Sequence, residues 1–397
     1  MSGSVEHFDA VVVGGGAAGA AVALGLARAG HRVLLLDRRP RPAFNDEAPV
    51  TRVATLNAAS MELLGELGVR DSVLARRGHA FHGMEVWDAH SSAALGFDAD
   101  DLGLPALGWT VEHLALESSL WEGVEAAGGV LLPDTGWRAI DWRTDRIDLH
   151  LDGGRVLGAR LLVAADGAES ALRARAGIAV RRNPYRMTGV VATVATRFPH
   201  QDTAWQRFNG DEILAFLPLA DGRCSIVWSL PDFEAERILS LDDAAFSEAL
   251  RDAFGGRLGD ILSTSPRVGW QLVGRQAHDY VSGRLVLVGD AAHTIHPLAG
   301  QGLNLGFSDV RALLDAVPAG AGADPADPRA LRAYTRSRRL DNELMLRSME
   351  GLRWLFGSSL PPVAWARGLG VGQVDRHRVL KRFFALRALG QDDTRGV

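Results

Sequence analysis

The sequence predicts an α/β fold. A Rossmann-like dinucleotide-binding unit is interrupted by a mainly antiparallel β-sheet and followed by a helical C-terminus. Three observations carry this reading. A glycine cluster at 14–30, GGGAAGAAVALGLARAG, lies between two apolar runs. Residues 284–309 read as a further strand, a glycine-rich loop and a helix. Between them, 183–270 breaks into short strand-like runs separated by turn signals.

Residues 8–13 are apolar enough for a buried strand, and the glycines follow at once. Gly14 suits the tight turn, Gly16 lets backbone approach a pyrophosphate, and Gly19 permits close helix-to-strand packing, with Ala17 and Ala18 in the same turn. The second strand, 32–36, ends at Asp37, where a carboxylate accepts hydrogen bonds from a ribose; Arg38 follows it. Arg52 then precedes a helix with Leu56, Met61, Leu63, Leu64 and Leu67 on its apolar positions. Residues 78–110 read as short strands and turns, and 111–127 as a helix. Asp152-Gly153 marks a hairpin, and strand 161–164 leads through Asp166-Gly167 into a helix from Ser170. Within 183–270, Asp221-Gly222 is a second hairpin signal.

Strand 285–288 enters Gly289-Asp290, and a helix starts near Gln301. A helix opening at a glycine-rich turn presents unpaired N–H groups and a positive dipole end, so Gly300, Gln301, Gly302, Leu303 and Asn304 suit an anion. The chain beyond 309 is helical, broken by the linker VPAGAGADPADP. These readings give a discontinuous dinucleotide domain of 1–77, 110–180 and 271–330, a substrate domain of 78–109 and 181–270, and a C-terminal region of 331–397.

Composition narrows the function classes. The 397 residues carry a net charge of -5, which gives no reason to expect nucleic acid as a partner. The single cysteine, Cys224, forbids an internal disulfide and reads as a buried small residue. Lys381 is the only lysine, so any mechanism needing one must use it. The apolar stretch 10–26 lacks a basic flank and is too glycine-rich for a signal or a span, which predicts a cytoplasmic protein. His79, His82 and His90 are scattered, and His293 and His296 form HxxH with no carboxylate pattern, so no metal is expected.

The string GDAAHTIHPLAGQGLNLGFSDV resembles the signature of flavin-dependent aromatic hydroxylases, and HPLAGQGLNLG resembles most closely the branch that hydroxylates ubiquinone precursors. RLLVAADGAESALRARAGI and FLPLADGRCSIVWSLP resemble other segments of the same enzymes. The resemblance implies the glutathione-reductase and p-hydroxybenzoate-hydroxylase type of FAD fold, with the antiparallel sheet inserted as the substrate domain. It implies FAD on Gly14, Gly16, Gly19, Asp37, Arg38, Arg52, Asp166 and Asp290, and on the loop from Pro297 through Gly300, Gln301, Gly302, Leu303 and Asn304. Arg52 would pair with pyrophosphate.

Phe216, Leu217 and Pro297 are the substrate candidates, and no general base is identified. Departures from the family pattern are Asp37 for Glu, Glu117 for Gln, Ala165 for Gly, and Arg186 with Gly210-Asp211 beside the substrate region. The implied activity is hydroxylation of a polyprenylated phenol or quinol through a flavin C4a-hydroperoxide, with O2 and NADH or NADPH. Hydroxylation of a soluble phenol or polyketide is the alternative, with reduction of an isoprenoid double bond behind it. The basic amphipathic segment 361–390 suits an anionic membrane surface, and equally a helix packed on the protein, on another pathway enzyme or on a second copy.

Overall fold

A computed structural model describes residues 5–47, 52–89, 94–295, 301–320 and 322–357. Strand β1 (Val5–Val13), helix α1 (Ala17–Arg28) and β2 (Val33–Leu36) form the opening βαβ unit. The chain continues through β3 (Val53–Leu56), α2 (Ala58–Glu66), α3 (Arg70–Ala75), β4 (His79–Phe81), β5 (Gly83–Asp88), β6 (Ala94–Asp98) and α4 (Ala99–Leu102). Then come β7 (Gly108–Glu112), α5 (His113–Ala126), β8 (Val130–Leu132), β9 (Trp137–Trp142), β10 (Ile147–Leu151), β11 (Val156–Ala164) and α6 (Ala171–Arg175). A long strand, β12 (Val180–Thr196), opens the second sheet with β13 (Thr203–Asn209), β14 (Glu212–Pro218) and β15 (Cys224–Pro231), and α7 (Asp232–Ser240) and α8 (Asp243–Phe254) follow. The last elements are β16 (Ile261–Thr264), β17 (Val268–Ala277), β18 (Val281–Ser282), β19 (Leu285–Leu287), β20 (His293–Thr294), α9 (Gln301–Ala316) and α10 (Pro328–Gly357).

Among the described residues, one sheet of eight strands has the path β18-β19-β11-β1-β2-β8, with β10 and β9 attached to β11. Its central pairs, β1 with β11, β1 with β2 and β11 with β19, are parallel. That explains why Ala10 to Val13 and Leu34 to Leu36 are apolar without alternation: both faces of these strands are covered and all of these residues are buried. The second sheet, of nine strands, follows β20-β17-β12-β15-β14-β13-β5-β6 with β16 beside β12. It is antiparallel except between β13 and β5. Helices α7 and α8 cover one of its faces, where Ile238, Phe246, Leu250 and Phe254 pack on Val190, Leu214, Phe216, Ile226 and Trp228.

Two helix boundaries differ from the sequence reading for one reason. Residues 53–56 and 108–112 are strands of a three-stranded sheet, β3-β7-β4, so the helices start only at Ala58 and His113. Their β-branched Val53, Thr55, Thr110 and Val111 prefer a ladder, and Asn57 then caps α2 by accepting from the Ser60 N–H at 2.9 Å. No helix among the described residues is long and apolar enough to cross a membrane.

Candidate active site

The glycine cluster builds a cradle whose shape is set by close backbone contacts. Gly14 has φ +103, and a Cβ there would lie 2.2 Å from the Ala165 carbonyl oxygen; at Gly19 it would lie 1.9 Å from the Gly14 oxygen. Gly16 differs, since its Cβ would meet only Glu117 Oε1 at 3.7 Å and Arg39 Nη2 at 3.9 Å. It caps α1 with no side-chain hydrogen bond and no acid in the first turn, which leaves the dipole end, with Ala17 and Ala18, to an external anion. Asp37 stands at the end of β2 and accepts from the Gly15 N–H at 2.7 Å and the Arg39 N–H at 2.8 Å. Burial would raise its pKa; the Arg39 side chain and these two N–H groups outweigh that and hold it below the ordinary carboxylate range. Arg38 is exposed, and its neighbour Arg39 is the arginine that pairs with Asp37, at 3.1 Å.

Helix α5 lies beneath the cradle and contributes three residues at successive turns. Trp121 donates from its indole N–H to the Gly15 carbonyl at 2.7 Å. Glu117 lies 3.7 Å from Arg39. His113 is half-buried, and burial first, then the charges of Arg52 and Arg39, push its pKa down to about 3. Glu117 and Asp290 are instead held above the carboxylate range, chiefly by burial. Asp290 nonetheless keeps an accessible side chain. Accessible but poorly solvated groups are what a deep recess produces, and the charge of Arg52 acts on all three. The Arg52 guanidinium stands 5.7 Å from the Trp270 ring, so this recess opens toward the second sheet.

His113 yields a pH prediction. The unfolded chain binds a proton at this imidazole below about 6.5, while the folded chain resists until about 3. The unfolded state therefore holds more protons between these values, and stability falls as pH drops through that window. His113→Gln should flatten the fall in urea midpoint between pH 7 and pH 5. An equal fall in the parent and the variant would contradict the placement of His113.

The other expected positions divide clearly. Ser170 caps α6 through the Arg173 N–H at 3.0 Å, and Asp166 accepts from the Leu172 N–H of the same turn at 3.1 Å while its Oδ1 is buried without a partner. Buried Arg173, from α6, donates to the Ala291 carbonyl at 2.8 Å and the Ala168 carbonyl at 3.0 Å, and so ties the two Asp-containing loops together. At α9 a Cβ on Gly302 would meet nothing within 4 Å, and Leu303 packs on the core. The Asn304 side chain is engaged within the protein. It accepts from the Asn57 N–H at 3.0 Å and Ser60 Oγ at 2.7 Å, and donates to the Thr55 carbonyl at 2.9 Å, which ties α9 to β3 and α2. Gln301 is the first residue of α9. Pro297, Gly300 and His296 lie outside the described residues. His293 is buried and bonded through Nε2 to Asp309 at 2.6 Å. Among the described residues His79, His200 and Asp202 converge as possible metal ligands. His200 nevertheless has both nitrogens engaged, one on the Leu219 carbonyl at 3.2 Å and one on the Asp202 N–H at 3.1 Å.

Phe216 is a correction. It is fully buried against Phe254, with ring centroids 4.0 Å apart, in the layer between the sheet and α8, so it has no surface for a substrate. Leu217 points to the opposite face, where it clusters with Phe81, Ala204 and Leu107. The register shows what else lies on that face. Val268 pairs with Val191, Val191 with Val227, Val227 with Ala215, and Ala215 with Gln206, giving a row across the sheet that retains accessible surface. Trp270, one step along β17 on the same face, is the residue under Arg52. Val268, Val191, Val227 and Ala215 are therefore an apolar floor on the side of the sheet where Trp270 meets Arg52, and alternation alone could not have said which face of each strand formed it.

A model of the FAD binding domain family matches residues 7–348. The chain belongs to this family. It is 38% identical over 389 residues to the 3-demethoxyubiquinol 3-hydroxylase of Escherichia coli K12, spanning 97% of this chain and 99% of that protein. It is 34% identical to ubiquinone hydroxylase UbiL of Rhodospirillum rubrum, spanning 98% and 91%. In fold it is similar to PqsL of Pseudomonas aeruginosa, with TM-score 0.75, 24% identity and coverage of 93% and 100%, and to p-nitrophenol 4-monooxygenase PnpA of Pseudomonas putida, with 0.78, 19%, 99% and 100%. The chain is an FAD-dependent monooxygenase of the ubiquinone-hydroxylase branch. The residues present fit the cofactor. The N-terminus of α1 has no side-chain cap and no acid, a Cβ at Gly16 would meet nothing closer than 3.7 Å, and a buried Asp166 oxygen lacks a partner.

Proposed function

We propose that this flavoenzyme hydroxylates the aromatic ring of a polyprenylated phenol or quinol in ubiquinone biosynthesis, taking electrons from NADH or NADPH and oxygen from O2. The observation that carries the reading is end-to-end similarity to hydroxylases of that route. FAD, when bound, supplies oxygen activation and transfer of one oxygen atom to an electron-rich ring carbon. The chain's own residues bind, orient and exclude water. The N-terminus of α1 and Arg52 suit the pyrophosphate, while the N-terminus of α9 suits negative charge on the isoalloxazine edge. Val268, Val191, Val227 and Ala215 offer an aliphatic floor to a ring, and an apolar wall there limits water access. A lipophilic substrate also gives the basic amphipathic segment 361–390 a use at the surface of the inner membrane.

The test is mass spectrometry of quinone lipids from source cells with the gene deleted and then restored. A prenylated intermediate lacking one hydroxyl should accumulate and disappear on restoration, which also names the ring position. Unchanged quinone in a strain with no second ring hydroxylase would favour a soluble phenol as substrate.

A further inference from the structure

Behind the Gly289–His293 turn lies a buried polar network that bonds to the turn itself. Its centre is Asp309, on the third turn of α9 and fully buried. The two carboxylate oxygens divide their work. Oδ2 accepts from the Gly289 N–H at 3.0 Å and from His293 Nε2 at 2.6 Å, both in the loop that carries Asp290. Oδ1 accepts from Arg338 Nε at 2.9 Å and Asn342 Nδ2 at 3.2 Å, both on α10. Arg338 donates from Nη2 to the side-chain Oδ1 of Asn342 at 2.8 Å, and Asn342 donates to the Tyr280 hydroxyl at 2.9 Å. Gln276 donates to that hydroxyl as well, at 2.9 Å, and pairs with His293 across β17 and β20.

A buried carboxylate needs a compensating cation and a full set of donors, and here the cation comes from a helix remote in sequence. Burial would raise the pKa of Asp309, but His293 and Arg338 outweigh it and keep the group ionised. Gly289 has φ +61, so the turn that presents Asp290 is one whose backbone is set by an N–H held from behind. Without Arg338 the buried carboxylate would lose its guanidinium partner and keep only Gly289, His293 and Asn342 as donors, so the cost of a poorly compensated charge would fall on the turn that supplies the first two.

We propose that Arg338 and Asn342 are positioning residues for the flavin: α10 holds the cofactor loop in its binding shape through Asp309, so seating of α10 controls FAD retention. This rests on the reading of 289–304 as the cofactor loop.

The test compares FAD dissociation constants, measured by flavin fluorescence on stripped and reconstituted protein, with apoprotein melting temperatures. Arg338→Met and Asn342→Leu should weaken FAD binding by about 10- to 100-fold, the loss expected when a hydrogen bond to a charged group is removed. Tyr334→Phe is the comparison on the same helix. It removes the hydroxyl bond to the Leu287 carbonyl, 2.7 Å long, and leaves Asp309 untouched. It should lower the melting temperature with FAD affinity held within about twofold. Arg338→Lys, which keeps one cationic donor, should recover part of the affinity. The proposal is overturned if the Arg338 and Asn342 variants bind FAD like the parent, or lose no more affinity than Tyr334→Phe at equal loss of stability. Should Arg338→Met not fold, Asn342→Leu decides, because it buries no unpaired charge. Full affinity in Asp290→Ala would instead remove the cofactor-loop reading itself, and the proposal with it.

Discussion

Gly19→Ala is expected to cost the protein its flavin. The added methyl would sit 1.9 Å from the Gly14 carbonyl oxygen and 2.9 Å from the Ala165 Cβ, and the first of these is backbone that cannot rotate away. Relief requires α1 to lift from β1, which takes its N-terminal N–H groups out of line with the pyrophosphate they would bind. Overpacking a close contact costs about 1–3 kcal/mol when side chains can yield, and a backbone obstacle places this substitution at the upper end or beyond. The purified variant should be colourless, with a flavin-to-protein ratio near zero and a lowered melting temperature. Gly306→Ala is the contrast. Its methyl would lie 3.5 Å from the Gly289 Cα and 3.8 Å from the Ala18 Cβ, which is ordinary contact, so most flavin should be kept. A yellow, fully loaded Gly19→Ala protein would show that the cradle is not the pyrophosphate site.

What the sequence made legible is the part of the fold that backbone demands dictate locally. Gly14 and Gly19, the Asp166-Gly167 turn and the Gly289-Asp290 turn each announce a strand ending in a left-handed or close-packed backbone, and only a few residue types meet that demand. The hairpins at Asp152-Gly153 and Asp221-Gly222 are local for the same reason, with Gly154 and Gly222 at φ +84 and +83. Contacts made by long-range closure were not legible. Phe216 and Leu217 are adjacent and similar, and which of them meets α8 depends on how the whole sheet is covered. Gln276, Tyr280, His293, Asp309, Arg338 and Asn342 look like six unrelated polar residues until α10 is laid over β19. Glu117 was visible as a departure from the family pattern, but its pairing with Arg39 needed the packing of α5 under the cradle.

Gly302→Glu is expected to separate cofactor binding from folding, because its effects on the two have opposite signs. Gly302 is the second residue of α9, and a Cβ there meets no atom within 4 Å, so a side chain costs nothing in packing. Replacing a helical glycine gains up to about 1 kcal/mol of helix propensity. A carboxylate in the first turn adds roughly 0.3–1 kcal/mol by facing the positive end of the dipole. The apoprotein should melt at the parental temperature or above it. That same carboxylate would occupy the place and cancel the field offered to the negative edge of the flavin, so FAD affinity should fall by at least about 100-fold, or some 2.7 kcal/mol. Gly302→Ala, which adds bulk without charge, should lose far less. The pair therefore distinguishes electrostatic capture by the helix end from mere crowding. Equal losses in Ala and Glu would assign the effect to volume, and parental affinity in Gly302→Glu would move the cofactor away from the N-terminus of α9 altogether.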